Sequence, residues 1–268
     1  MDSDGLDKLS RNKRIGIPER QPDPTKTSVI GAERDGGVQF DHIHTDDNSL
    51  PYRNKETRVF KDSSGRSYFE ISKFGADQMF LAKMLKGIMP VSDVIYQNAK
   101  FLSYKMPLNA VAKDAGEMNW QQRVRAYNLA LDSIFGDHHH YRTNIAVSGD
   151  TAVMYDFHLF GQQFWYESSH IENYVRNLAL GNDDLKNNSI RILYLRTLLK
   201  VRNMLDGETG SAFLREIVDH IKKISSQTPT TIQQAPGSDQ DERIKSFRDE
   251  VLRRIDLFAR MVDEYNAK

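Results

Sequence analysis

At Gly75 the apolar rhythm of the chain changes, and that change limits the folds open to it more than any other feature. Before it, residues 57–61 and 67–73 are short runs rich in β-branched and aromatic side chains. The turn residues Asp62-Ser63-Ser64-Gly65 separate them, which is the signature of a β-hairpin. After it, Leu81, Met84, Leu85 and Ile88 recur at helical spacing until Pro90 ends the pattern, so a helix with one buried stripe is expected. Two further strands are expected at 91–96 and 100–105, followed by the break Met106-Pro107. The predicted unit is a small, mostly β structure with one helix set into it.

Downstream, Trp120, Val124, Tyr127, Leu131 and Ile134 share one face of a second helix, and Gly136 suits its C-terminus. Two short strands, 144–147 and 152–156, flank the turn Ser148-Gly149-Asp150. Helices are expected at about 168–180, 185–206 and 210–225, then a polar linker at 226–239. The last helix carries Ile244, Phe247, Val251, Ile255, Phe258 and Val262, a stripe suited to packing on the chain's own body. Residues 1–50 hold prolines, glycines and charges with little periodicity; they read as a largely disordered arm, because such a composition buries too little apolar surface to offset the entropy of ordering. The expected division is an arm at 1–50, a first lobe at 51–107, a second at 108–225, a linker at 226–239 and a C-terminal helix at 240–268.

Composition restricts the function classes. With 39% hydrophobic residues over 268 positions the chain has material for a real core. Basic and acidic residues balance at 37 each, so bulk charge gives no footprint for nucleic acid, and none is expected as a partner. No run approaches the roughly 18 apolar residues of a membrane span, and the polar stretch from Met1 to Arg20 lacks the apolar centre of a secretory signal. A cytoplasmic protein is expected. The absence of cysteine excludes a disulfide scaffold and thiolate zinc sites.

The segment carrying chemistry is Gly136-Asp137-His138-His139-His140-Tyr141-Arg142-Thr143-Asn144, with Asp156 at the far end of the hairpin that follows. It sets an acid, a histidine and an amide between a helix and a hairpin, then a second acid. Phosphoryl transfer uses this combination: one group orients or deprotonates the attacking hydroxyl, an amide and a carboxylate hold magnesium, and a lysine elsewhere neutralises the phosphates. The triple histidine also invites a zinc reading, with His42, His44 and His158 as further ligands. Adjacent ligands on one loop rarely all reach one ion, which disfavours it.

The order of acid, His, Asn, strand, turn, strand and Asp resembles the catalytic and metal-binding loops of atypical protein-kinase-like enzymes: phosphatidylinositol kinases, HipA-type toxin kinases and the Golgi casein kinase group. The string Asp137-His138-His139-His140-Tyr141 is most similar to the last of these. The resemblance covers about residues 49–165 and implies an α+β, two-lobed fold with a small β-rich first lobe and a helical second lobe. It implies Asp137 as catalytic acid and His139 as the loop histidine, with Asn144 and Asp156 on Mg²⁺. Lys73, at the end of the second strand and before the helix, would contact the ATP phosphates, with Asp77 beside it. Tyr104 and Met106 lie in the expected hinge that meets adenine. Asn144 stands farther from Asp137 than in the lipid kinases, so either Asp137 or His139 is the acceptor-side group. Further departures are His158 in place of glycine after Asp156-Phe157, the lack of a glycine-rich phosphate loop, and no obvious glutamate to pair with Lys73. The expected activity is Mg-ATP-dependent transfer to a protein hydroxyl, and the small size resembles kinase effectors that some bacteria inject into host cells. A lipid or small-molecule kinase and a pseudokinase binding module are the alternatives.

Overall fold

The computed structural model describes residues 41–43, 59–61, 67–71, 74–105, 120–135, 145–148, 151–154, 164–165 and 183–266. They form a mixed helix and sheet structure in which helices predominate.

Five antiparallel strands make the larger sheet, in the order β1-β2-β3-β5-β4: β1 Asp41–Ile43, β2 Val59–Lys61, β3 Ser67–Glu70, β4 Val94–Gln97 and β5 Lys100–Lys105. The expected first hairpin is present as β2 and β3, with Phe60 opposite Tyr68. β4 starts later than its apolar run suggested. Asn98 and Ala99 join it to β5, both with positive φ (51° and 61°), as the tight primed turns of two-residue hairpins require. β1 falls within the stretch expected to be an unordered arm. Its three residues pair with β2, Asp41 opposite Lys61 and Ile43 opposite Val59; a run so short carries no alternation for a sequence pattern to register.

Helix α1 (Gly75–Leu85) lies between β3 and β4 in sequence and packs on β4 and β5. The expectation of a single buried stripe is corrected by the structure. Every residue of α1 except Lys83 is buried, including the polar Asp77 and Gln78. The reason is that α1 is a middle layer: the sheet covers one side, and α4 (Gly207–Ser225) and the one-turn α5 (Thr230–Gln233) cover another. A helix enclosed in this way need not be amphipathic.

Two tight junctions fix its entry. The Ile71 amide donates to the Phe101 carbonyl at 2.9 Å. A side chain at Gly75 would overlap the Phe101 ring, so only glycine allows α1 to lie this close to β5. Between them Phe74 takes a left-handed conformation, φ 55°, which is uncommon for a residue with a bulky side chain.

Among the described residues, five further helices share one apolar core with α1. They are α2 (Trp120–Phe135), α3 (Asn188–Leu205), α4, α5 and α6 (Gln240–Asn266). Asn187 caps α3 by accepting from the amides of Ser189 and Ile190 at 3.0 and 3.3 Å. The stripe on α6 is buried as its spacing predicts, from Ile244 to Val262, at no more than 2% exposure. A two-strand hairpin, β6 (Ile145–Ser148) and β7 (Thr151–Met154), follows α2 and touches it through β7. The stretch expected as a polar linker contributes to the core: it holds α5 and buries Thr231, Ile232 and Ala235.

Candidate functional site

Six of the eight sequence-predicted site residues, Lys73, Met106, Asp137, His139, Asn144 and Asp156, lie outside the described residues. The described elements nearest to them in sequence are the following. Ile71 and Phe74, on either side of Lys73, sit at the two junctions described above. α2 ends at Phe135, just before the segment that holds Asp137 and His139. In the following hairpin Ile145 pairs with Met154, so its first and last residues stand side by side. Asn144 directly precedes Ile145 in sequence, and Asp156 follows shortly after Met154.

Tyr104 is in β5, opposite Tyr68 of β3. Farther along the same two strands Glu70 and Lys100 form a half-buried ion pair at 2.9 Å.

Asp77 is only 1% exposed, and its carboxylate is engaged inside the protein. One oxygen accepts from the Thr231 amide and hydroxyl, both at 2.8 Å; the other accepts from the Thr230 amide at 3.0 Å. These donors are the free amides at the start of α5, whose preceding residue, Pro229, offers no side-chain cap. Asp77 thus caps a helix far away in sequence.

The same α5 residue reaches the other half of the molecule. The indole Nε1 of Trp165 donates to the Thr231 carbonyl at 2.6 Å. Next to it, the Phe164 ring packs at 5.0 Å, tilted by 42°, against Phe247 of α6, which meets Phe80 of α1 edge-on at 5.4 Å. Arg254 of α6 is wholly buried. Its guanidinium donates to the Glu250 carboxylate at 2.8 Å, to the Ile134 carbonyl in the last turn of α2 at 3.2 Å, and to the Phe164 carbonyl. It also lies 4.2 Å from the centre of the Phe164 ring.

Nothing in the local sequence marks Trp165, Thr231 or Arg254 for these roles. Their partners lie up to 154 positions away, so no local pattern carries the information.

Among the described residues no group of three or more His, Asp or Glu side chains could hold a metal ion. A groove of about 550 Å³ is lined in part by Lys222, Gln240 and Arg243. Lys222 donates to the Gln240 side chain at 2.7 Å and Arg243 to the Gly237 carbonyl at 3.2 Å, so these three side chains are engaged within the fold.

Burial perturbs two phenols. Desolvation raises Tyr194, against a smaller lowering effect from its 2.9 Å hydrogen bond with Ser133. Tyr127 is raised by desolvation, with Arg123 acting in the opposite sense.

No known protein family matches the chain, and no curated protein or solved structure is significantly similar to it.

Proposed function

We propose that the protein is a Mg-ATP-dependent phosphotransferase of the atypical protein-kinase-like class, acting on a protein hydroxyl in the cytoplasm. Lys73 would neutralise the ATP phosphates, Tyr104 and Met106 would line the adenine side, and Asn144 and Asp156 would hold Mg²⁺. Asp137 or His139 would face the acceptor. Catalysis in such a site is mostly positioning and charge neutralisation.

The observation that carries the reading is the order of elements around these residues. A five-stranded antiparallel sheet contains one helix between its third and fourth strands, with Lys73 in the step from β3 to α1. A long helix follows, then a hairpin whose paired ends, Ile145 and Met154, lead in sequence to Asn144 and Asp156. This is the arrangement expected of a small β-rich lobe followed by a helical lobe with a catalytic hairpin. Among the described residues no helix is long and apolar enough to cross a membrane.

One observation favours a second reading, a nucleotide-binding pseudokinase. Asp77 is the one acidic residue in α1, and both its oxygens are engaged by Thr230 and Thr231. Asp77 is thus committed to capping α5 rather than to pairing with a nucleotide-binding lysine, as the acidic residue on this helix does in an active kinase.

Thermal unfolding with and without Mg-ATP, paired with transfer from labelled ATP, separates these readings. A ligand that binds only the folded state stabilises it by about 2.7 kcal/mol at 100 times its dissociation constant. A shift with phosphate transfer supports the kinase, and a shift without transfer supports the pseudokinase. Transfer to lipid headgroups or small alcohols in place of protein would reassign the acceptor. No shift at all would remove both readings.

A further inference from the structure

We propose that α5 and α6 form an internal splint that ties α1 to the chain at Phe164-Trp165, and so sets the separation of the two halves of the phosphotransfer site. The inference rests on the phosphotransferase reading only in its second half; the splint itself is a matter of described contacts.

Two independent links run side by side from α1 to residues 164–165. The polar one passes through a single residue. Thr231 gives its amide and hydroxyl to Asp77 and accepts the Trp165 indole at its carbonyl. The apolar one is the aromatic series Phe80, Phe247 and Phe164. Arg254 closes the arrangement by joining the Phe164 carbonyl to the last turn of α2. In sequence, Lys73 lies one short step before Asp77, Phe164 comes after Asp156, and Ile134 comes just before Asp137. The splint therefore holds the chain shortly after Lys73, shortly before Asp137 and eight positions after Asp156.

The two sides of the polar link depend on each other. α5 is one turn long and lacks a cap of its own, so without Asp77 the Thr230 and Thr231 amides would lose their acceptor. On the other side, α1 begins after the left-handed Phe74, a conformation that persists only where surrounding contacts over-determine it. The Phe101 contacts supply one restraint and the Asp77 bonds supply the other. α1, the helix that follows Lys73 in sequence, is thus held by the chain's own C-terminal helices. Asp77, Thr231 and Trp165 are positioning residues in this scheme.

The test uses the full chain and Trp165→Phe, which keeps the ring but removes the donor, together with Thr231→Val. Trp165 makes its hydrogen bond to α5 and not to α1, so ordinary loss of a local contact would leave α1 unchanged. Under the splint, hydrogen exchange of the amides at 75–85 accelerates about tenfold in Trp165→Phe. The same variant should lose ATP turnover, with a smaller change in Mg-ATP affinity. An α1 that exchanges at the wild-type rate in both variants overturns the splint. Accelerated exchange with wild-type turnover and Mg-ATP affinity overturns its role in the site. A wild-type protein that neither binds nor turns over Mg-ATP removes the phosphotransferase reading, while the exchange data still decide the splint. Should Thr231→Val fail to fold, Trp165→Phe alone carries the comparison.

Discussion

Arg254 has no exposed surface and holds its guanidinium 4.2 Å from the centre of the Phe164 ring, while its nitrogens satisfy Glu250, Ile134 and Phe164. A buried cation is tolerated only when its charge is paired and its donors are used. Here α6 supplies the carboxylate one turn away, and two other segments supply carbonyls. Arg254→Met would take this donor from two buried carbonyls and this partner from Glu250. We expect a loss of about 3 kcal/mol, read as a lower urea midpoint at unchanged slope. Arg215→Met gives the contrast, since Arg215 and Asp241 pair at 2.6 Å but are 46% and 61% exposed. It should change stability by less than about 1 kcal/mol.

Gly75 and Gly210 both lack room for a methyl group, but against different neighbours. At Gly75 the obstacle is the Phe101 side chain, which can be altered. At Gly210 it is the backbone of Leu205, which cannot yield. Each alanine variant should lose about 1 to 3 kcal/mol in chemical denaturation. Adding Phe101→Leu should recover part of the loss for Gly75→Ala, whereas no single side-chain change should rescue Gly210→Ala.

The raised pKa of Tyr194 makes stability depend on alkaline pH, and the sign follows from proton binding. The folded protein retains the phenolic proton above the ordinary value of 10.0, while the unfolded chain releases it. The contribution is therefore complete below pH 10 and declines as pH rises above it. Tyr194→Phe should flatten the fall in melting temperature between pH 9 and pH 11, roughly the window set by the unfolded phenol. An equally steep fall in the variant would place the alkaline sensitivity on other groups.

For the proposed activity, Asp156→Ala should abolish phosphate transfer while leaving the far-ultraviolet circular dichroism and the urea midpoint close to wild type. Retained transfer would end the metal assignment. Of Asp137→Asn and His139→Ala, the one that removes the acceptor-side group should lower kcat by roughly 100-fold or more with little change in Mg-ATP affinity. Equal losses of both quantities in both variants would mean that neither residue has that role.

The outcome differs by residue according to how far away its partners lie. Leu81, Met84 and Leu85 announced α1, and Ile244 to Val262 announced α6, because a helix repeats every few residues and its periodicity is written locally. The β2–β3 and β4–β5 hairpins were legible for the same reason. The candidate site was legible as a list of residue types in an order, Lys73 before α1, Asp137 after α2, and Asn144 and Asp156 around β6 and β7. No spacing could say what lies against what. That Asp77 caps α5, that α1 is buried on nearly every side, that β1 joins the sheet, and that the 226–239 stretch belongs to the core were decided by tertiary contact. Burial and hydrogen bonding are satisfied by whichever group lies nearby in space, and Thr231 meets Asp77 across 154 positions of sequence only through the packing of the helices.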